Sequence, residues 1–283
     1  MEAAAVTHLD LTLTSGTFAY RPELPFVPGT AGVGRVIDGE PALVGRRVLV
    51  RGGGIGLERS GTWAQRMTAP VTAVRTVPES IDAALAATCY SPMTTAWAAV
   101  EPLGTIAEGE RVLVTGASGG VGSMIVQLAA RAGGRVLALV RNEKQAAAVP
   151  GTAHEILVGS GPGVLAAAGA DGGIDVLLDT VGGDTLPAFL PAMRHGGRAV
   201  LIGYVAGKTL SIDLPALLAQ DVTLLPMNMV RRHVPDDVFH RLLSALGDGS
   251  LKLNTTTRPF SDLPETITAR TDGSVTGTLA VTM

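Results

Sequence analysis

The sequence predicts an α/β protein, a doubly wound parallel sheet carried between β-rich end segments, and three observations support it. Residues 110–132 read as a buried strand, a glycine-rich turn and a helix. The stretch 81–230 keeps alternating short apolar runs with helical patterns, the rhythm of parallel strands joined by crossover helices. Residues 1–80 are rich in Val, Thr, Gly and Pro, with brief β-type runs broken by glycine clusters, the pattern of a partly open β-barrel.

Taken in chain order, residues 34–37 and 47–50 are the strand candidates of the first block, followed by the glycine cluster 52–56. Val112, Leu113 and Val114 form an apolar run suited to a central parallel strand covered on both faces. Residues 123–132 read as the helix after it; Gly133 and Gly134 stop that helix, and 135–140 supplies the next strand. Further strands are expected at 155–158, 174–179, 198–202 and 222–225, with helices at 186–195 and 215–220. Residues 231–283 hold one amphipathic helix, 235–246, and then β-like segments that return to the first block. There is no internal repeat and no low-complexity linker.

Composition narrows the function classes. The 283 residues, 46% hydrophobic, supply one large or two moderate cores. A net charge of −3 offers no electrostatic footprint for nucleic acid or an anionic membrane. No run approaches the roughly 18 apolar residues of a membrane span, and the first residues lack a basic signal region, so cytoplasm is the default expectation. The lone Cys89 rules out an internal disulfide and any site built from several thiolates. It sits in an Ala-rich run and reads as a small buried apolar residue.

The turn after the strand at 110–115 carries the chemistry. Gly116, Gly119 and Gly122 recur every third residue, so the chain can bend sharply and let a pyrophosphate approach the backbone. Ser118, Gly120 and Val121 complete the turn, and the following helix presents free N–H groups and its positive dipole end to the phosphates. An NAD site carries an acid about 20 residues further on. Here the second strand is followed by Arg141, Asn142, Glu143 and Lys144, two cations where the acid would stand. Arg grips a 2′-phosphate with a planar fork and Lys adds a point charge, so NADP(H) is expected over NAD(H). Glu143 weighs against this, since it can pair with either cation in a solvated turn.

In such sheets ligands bind outside the carboxyl ends of the strands. Two more strand ends therefore join the candidate cofactor site: Thr180 and Val181 before Gly182-Gly183, and Gly203, Tyr204 and Val205. Taken singly, each is equally an ordinary short β–α turn. On one face of one sheet they read together as a cofactor site.

These motifs carry a family resemblance. The chain resembles the medium-chain dehydrogenase/reductase superfamily, most closely its zinc-independent quinone oxidoreductase (zeta-crystallin-like) branch. The matching stretches begin at Leu24-Pro-Phe-Val-Pro-Gly29, Gly61-Thr-Trp-Ala-Gln65, Met93-Thr-Thr-Ala-Trp97 and the segment 108–122, and continue with Asp179-Thr-Val-Gly-Gly183 and the segment 198–204. The resemblance implies a Rossmann domain, 89–231, inserted in a GroES-like β-barrel domain, 1–88 and 232–283, with NADPH as cofactor. It also implies a homodimer pairing along the strand near 222–227. The family's zinc enzymes need a Cys, a His and a carboxylate at the catalytic metal and four cysteines at the structural one. Here the Gly-His-Glu position reads Gly29-Thr30-Ala31, and the five histidines show no ligand spacing, so no metal is expected.

The resemblance further implies hydride transfer to a quinone or an α,β-unsaturated carbonyl compound. Relatives place an Asn and a Tyr early in the barrel at this site; the matching positions are Thr7 and Thr12, whose hydroxyls can donate hydrogen bonds but reach less far. Thr95 matches a residue beside the nicotinamide in relatives. His8 is a candidate proton donor, because its ordinary pKa allows both states near neutrality. Tyr20, Trp63 and Tyr90 are candidates for an aromatic pocket wall, with core packing the alternative. Against the family pattern the N-terminus is shortened, which predicts an exposed barrel edge covered by a partner subunit or a more open site. The alternative function is therefore a family-derived protein without net redox chemistry: a cyclase or isomerase-type tailoring enzyme, or an NADPH-responsive binding protein.

Overall fold

The computed structural model describes residues 1–17 and 21–283, so Tyr20 lies outside the described residues. In chain order the strands are β1 (Ala3–Ala5), β2 (Ala31–Arg35), β3 (Arg47–Arg51), β4 (Val74–Thr76), β5 (Arg111–Thr115) and β6 (Arg135–Val140). They continue with β7 (Glu155–Val158), β8 (Ile174–Asp179), β9 (Met193–Leu201), β10 (Thr223–Pro226), β11 (Thr255–Pro259) and β12 (Thr278–Thr282). The helices are α1 (His8–Thr14), α2 (Ala83–Thr88), α3 (Tyr90–Ala98), α4 (Gly120–Arg131) and α5 (Glu143–Ala146). After them come α6 (Pro162–Gly169), α7 (Thr185–Phe189), α8 (Leu214–Gln220), α9 (Asp236–Gly247) and α10 (Leu263–Thr271). Two compact units result, Met1–Tyr90 with Leu253–Met283, and Ser91–Lys252. Residues 232–252, grouped on sequence with the outer domain, thus fall with the second unit.

The first unit is built on a six-stranded sheet in the order β11-β12-β1-β2-β3-β4, antiparallel except for the parallel pair β11 and β12. Its centre is β1, three alanines that are fully buried. Alanine favours helix over strand, so local propensity points the wrong way here and packing decides. Small side chains let the equally small Ala84, Ala86 and Ala87 of α2 lie close against the sheet. Trp63 packs with Ala4, Val6, Leu279 and Val281, and its Nε1 donates to the Ala5 carbonyl at 2.9 Å. It is a core residue, not a pocket wall.

The second unit is a wholly parallel six-stranded sheet in the order β10-β9-β8-β5-β6-β7. Strand order reverses between β5 and β8, so a crevice opens at their carboxyl ends. Val112, Leu113 and Val114 are fully buried in β5, as expected of a strand covered on both faces. α4 ends at the expected glycines: Gly133 has φ +89°, and Gly134 donates to the Ala129 carbonyl at 3.0 Å. The helix expected at 186–195 is shorter. α7 gives way to a 3₁₀ turn at Leu190–Ala192, where Pro191 has no N–H for an α-helical bond, and β9 begins at Met193.

Candidate functional site

The site begins where β5 ends. Gly116 has φ +60°, a left-handed conformation that a side chain strains, and a Cβ there would lie 2.6 Å from Thr180 Oγ1. Gly122 is tighter still, since a Cβ would meet the Gly116 carbonyl oxygen and sit 2.8 Å from its carbon. Gly122 lies in the first turn of α4, which starts at Gly120 with Gly119 as N-cap and no capping side chain. Ser123 N–H is the first to return to Gly119 O, at 2.9 Å, so the amides of Gly120, Val121 and Gly122 have no acceptor inside the helix. Ser118 is buried beneath the turn, and Gly119, Gly120 and Val121 are half-buried. The result is a cradle of backbone donors whose tight turn leaves no room for a Cβ at Gly116 or Gly122.

Beside it, the end of β8 is held by a buried carboxylate. Asp179, 2% exposed, accepts from Thr115 Oγ1 at 2.7 Å, Val181 N at 3.0 Å and Gly182 N at 3.1 Å. Thr180 completes the lacing: its N–H donates to Thr115 Oγ1 at 3.0 Å and its hydroxyl to the Thr115 carbonyl at 2.7 Å. The turn after β9 is tied on in the same way, through Gly203 N–H to Asp179 O at 3.2 Å and Ala206 N–H to Val181 O at 3.0 Å. A Cβ on Gly203 would meet the Thr180 carbonyl. Three strand ends are therefore fixed as one face, with Thr180 and Val181 half-buried and Tyr204 and Val205 exposed upon it.

The turn after β6 leaves Arg141, Asn142 and Lys144 exposed. Asn142 caps α5 by accepting from Gln145 N at 3.0 Å, while Gln145 Oε1 accepts from Arg141 N at 3.0 Å. This reciprocal capping fixes the backbone and leaves the Arg141 guanidinium without an ion pair among the described residues.

The hydroxyls expected at the substrate are engaged within the first unit. Thr7 is the N-cap of α1; its hydroxyl donates to Asp10 Oδ2 at 2.6 Å and accepts from Asp10 N. Thr12 donates to the Leu9 carbonyl at 2.9 Å. Asp10, missed by sequence reasoning although Thr7-x-x-Asp10 is a capping spacing, is fully buried and accepts from Thr7 N and Thr30 N, both at 2.8 Å. Burial pushes its pKa up, opposed by the hydrogen bonds from Thr7 and Thr30. Tyr90 is taken by cations, with the Arg51 and Arg75 guanidinium carbons 5.6 and 5.3 Å from its ring centroid. Thr95 is half-buried on α3 in the second unit.

His8 retains an exposed edge, yet partial desolvation and then the Arg270 charge lower its pKa below 6.5. Neutral imidazole therefore dominates at pH 7. By linkage, a His with a lowered folded pKa takes up fewer protons folded than unfolded, so its contribution to stability is lost as pH falls below 6.5. An NMR titration of the His8 ring is expected to show a midpoint below 6.5 that rises in Arg270→Met; a midpoint at or above 6.5 refutes the assignment.

Among the described residues the donors do not form a metal site. Cys89 is fully buried, and burial pushes its thiol up to about 12, far from the thiolate a metal binds. Among the described residues no three His, Cys, Asp or Glu side chains converge as a ligand set. No described helix is long and apolar enough to cross a membrane.

Fold and site together define a protein with a Rossmann-type unit and a glycine-rich turn at the carboxyl end of β5. A family model described as zinc-binding dehydrogenase matches residues 120–245. The quinone oxidoreductase of Pongo abelii is 32% identical over 161 residues, 55% of this chain and 47% of its own length. The mitochondrial enoyl-[acyl-carrier-protein] reductase of Xenopus tropicalis is 29% identical over 151 residues, 51% of this chain and 41% of its own. The chain thus spans about half the length of the curated relatives it matches. The structure of a quinone oxidoreductase from Thermus thermophilus, solved also with NADPH, aligns over all of this chain and 89% of its own, at 25% identity and a TM-score of 0.78. These likenesses support a place in the medium-chain dehydrogenase/reductase superfamily, in its quinone oxidoreductase-like branch.

Proposed function

We propose that this chain is an oxidoreductase that binds NADPH and reduces a quinone or an α,β-unsaturated carbonyl compound without a metal. The single observation that carries the reading is the glycine cradle at the ends of β5, β8 and β9, laced by Asp179, Thr115 and Thr180. The relatives named as quinone oxidoreductase and enoyl reductase support the reaction class. In this reading the amides of Gly120, Val121 and Gly122 hold the pyrophosphate, Arg141 with Lys144 holds the 2′-phosphate, and Gly203 leaves room for the ribose. When bound, the cofactor supplies a hydride from its nicotinamide ring. Thr95 positions the ring or the acceptor, and any donation by Thr7 or Thr12 exchanges a bond they make within α1. The proton for the reduced acceptor then comes from solvent rather than from His8, which is neutral at pH 7. The same reading includes a soluble cytoplasmic homodimer paired along β10, measurable by light scattering.

One observation favours a second reading. The hydroxyl protons of Thr7 and Thr12 are already donated inside the protein, which suits a relative that holds NADPH without net redox chemistry. Titration with NADPH and NADH, followed by NADPH oxidation against a panel of quinones and 2-enones, separates the two. Binding with acceptor-dependent oxidation supports the reductase; binding without oxidation supports the second reading; no binding removes both. Arg141→Ala is expected to weaken NADPH by about tenfold and leave NADH within about twofold. Equal loss for both nucleotides would refute the assignment of Arg141 to the 2′-phosphate.

A further inference from the structure

An open cationic pocket lies in the unit Ser91–Lys252, away from the glycine cradle in sequence and built on other elements. Trp97, Pro102, Arg231, Arg232 and His233 line a space of about 280 Å³. Arg231 ends a 3₁₀ turn at Met229–Arg231, in which Asn228 Oδ1 accepts from Val230 N at 3.0 Å and the Asn228 carbonyl accepts from Arg231 N at 3.2 Å, and Arg232 follows it in extended backbone.

What stands out is the absence of any acceptor for them. Arg232 is half-buried, its Nε is fully covered and has no partner, and its guanidinium makes no hydrogen bond or ion pair among the described residues. Arg231 is exposed and makes no ion pair among them either. Glu101, next to Pro102, is already taken: it accepts from Trp97 Nε1 at 2.7 Å and from Arg241 at 3.3 Å. A guanidinium that gives up water without gaining an acceptor is costly, and the usual resolution is a bound anion. Two adjacent forks match the oxygens of a phosphate, and His233 adds a further donor. Trp97 and Pro102 form an apolar wall beside them.

We propose that this cavity binds the phosphate of a small phosphate ester, with the organic part of the ligand against Trp97 and Pro102. Its volume falls just below the roughly 300–1,000 Å³ of sites for drug-sized ligands, so it takes a phosphate and its immediate substituent rather than a dinucleotide. The phosphate comes either free in solution or on a carrier such as coenzyme A. This site does not depend on the redox reading, because none of its residues belongs to the cradle.

The test is calorimetric titration of the full chain with inorganic phosphate and, separately, with coenzyme A, each repeated in the presence of saturating NADPH. Binding with a Kd below about 1 mM is expected for at least one probe, unchanged by NADPH and weakened about tenfold or more in Arg231→Gln. Tighter binding of coenzyme A than of phosphate, reduced by Trp97→Phe, assigns a carrier; equal binding assigns free phosphate. Arg231 is exposed, so its variant keeps the fold, and a matching thermal midpoint checks this. No heat up to about 10 mM of either probe, binding that NADPH displaces, or unchanged binding in Arg231→Gln would overturn the proposal.

Discussion

Gly122→Val is expected to abolish high-affinity NADPH binding, weakening it by about 100-fold or more while the protein still folds. The reason is spatial. Even a Cβ at Gly122 overlaps the Gly116 carbonyl and lies 3.0 Å from Ala117 Cα, and backbone cannot step aside as a flexible side chain can. The first turn of α4 must then move away from the end of β5, which pulls its free amides off the position where a pyrophosphate would sit. A loss of about 100-fold corresponds to about 2.7 kcal/mol of binding. Overpacking costs about 1–3 kcal/mol of stability, well short of unfolding a unit with so large a buried sheet. Gly163→Ala is the control. Gly163 lies in α6 with nothing within 4 Å of an added Cβ, so alanine there is expected to leave binding unchanged and stabilise by about 0.5–1 kcal/mol. Wild-type NADPH affinity in Gly122→Val would show that the cradle is not the cofactor site.

The parts of the fold legible in the sequence are those whose determinants are local. β5, its glycine turn and α4 depend on an apolar run, three small residues and a glycine stop, all within one short stretch. β8 likewise ends at Asp179, where its apolar run ends. β1 was not legible, because three alanines carry a helical preference that only burial beneath α2 overrides. The residues of the candidate site divide in the same way. Gly116, Gly119 and Gly122 mark the tight turn by their spacing, whereas Asp179 gives no local sign of being a fastener, since Thr115 stands 64 residues away. Thr7 shows how a local signal can be passed over. The family resemblance implies a substrate donor, and the geometry shows a helix cap whose Thr7-x-x-Asp10 spacing the sequence reading passed over.

Asp179→Ala is the second large effect, and it falls on stability as well as binding. Three donors converge on this carboxylate in a place water does not reach: the Thr115 hydroxyl and the amides of Val181 and Gly182. Removing it strands them, at about 1–3 kcal/mol for each donor left unsatisfied, against which the relief of burying a charge is a partial offset. A net loss of about 3–4 kcal/mol is expected on denaturant unfolding, together with weaker NADPH binding, because the carboxylate fixes the amides of Val181 and Gly182, and the turn after β9 leans on that segment through Ala206 N–H to Val181 O. Asp179→Asn keeps one carbonyl acceptor and should lose only about half as much. Thr115→Val removes the hydroxyl from the other side, and because Thr180 N–H also relies on it, the two changes are not independent. A double-mutant cycle between Thr115→Val and Asp179→Asn should therefore show a coupling of about 1 kcal/mol or more. Strict additivity would mean that the two strand ends are held by sheet pairing alone, and that the carboxylate merely occupies the space between them.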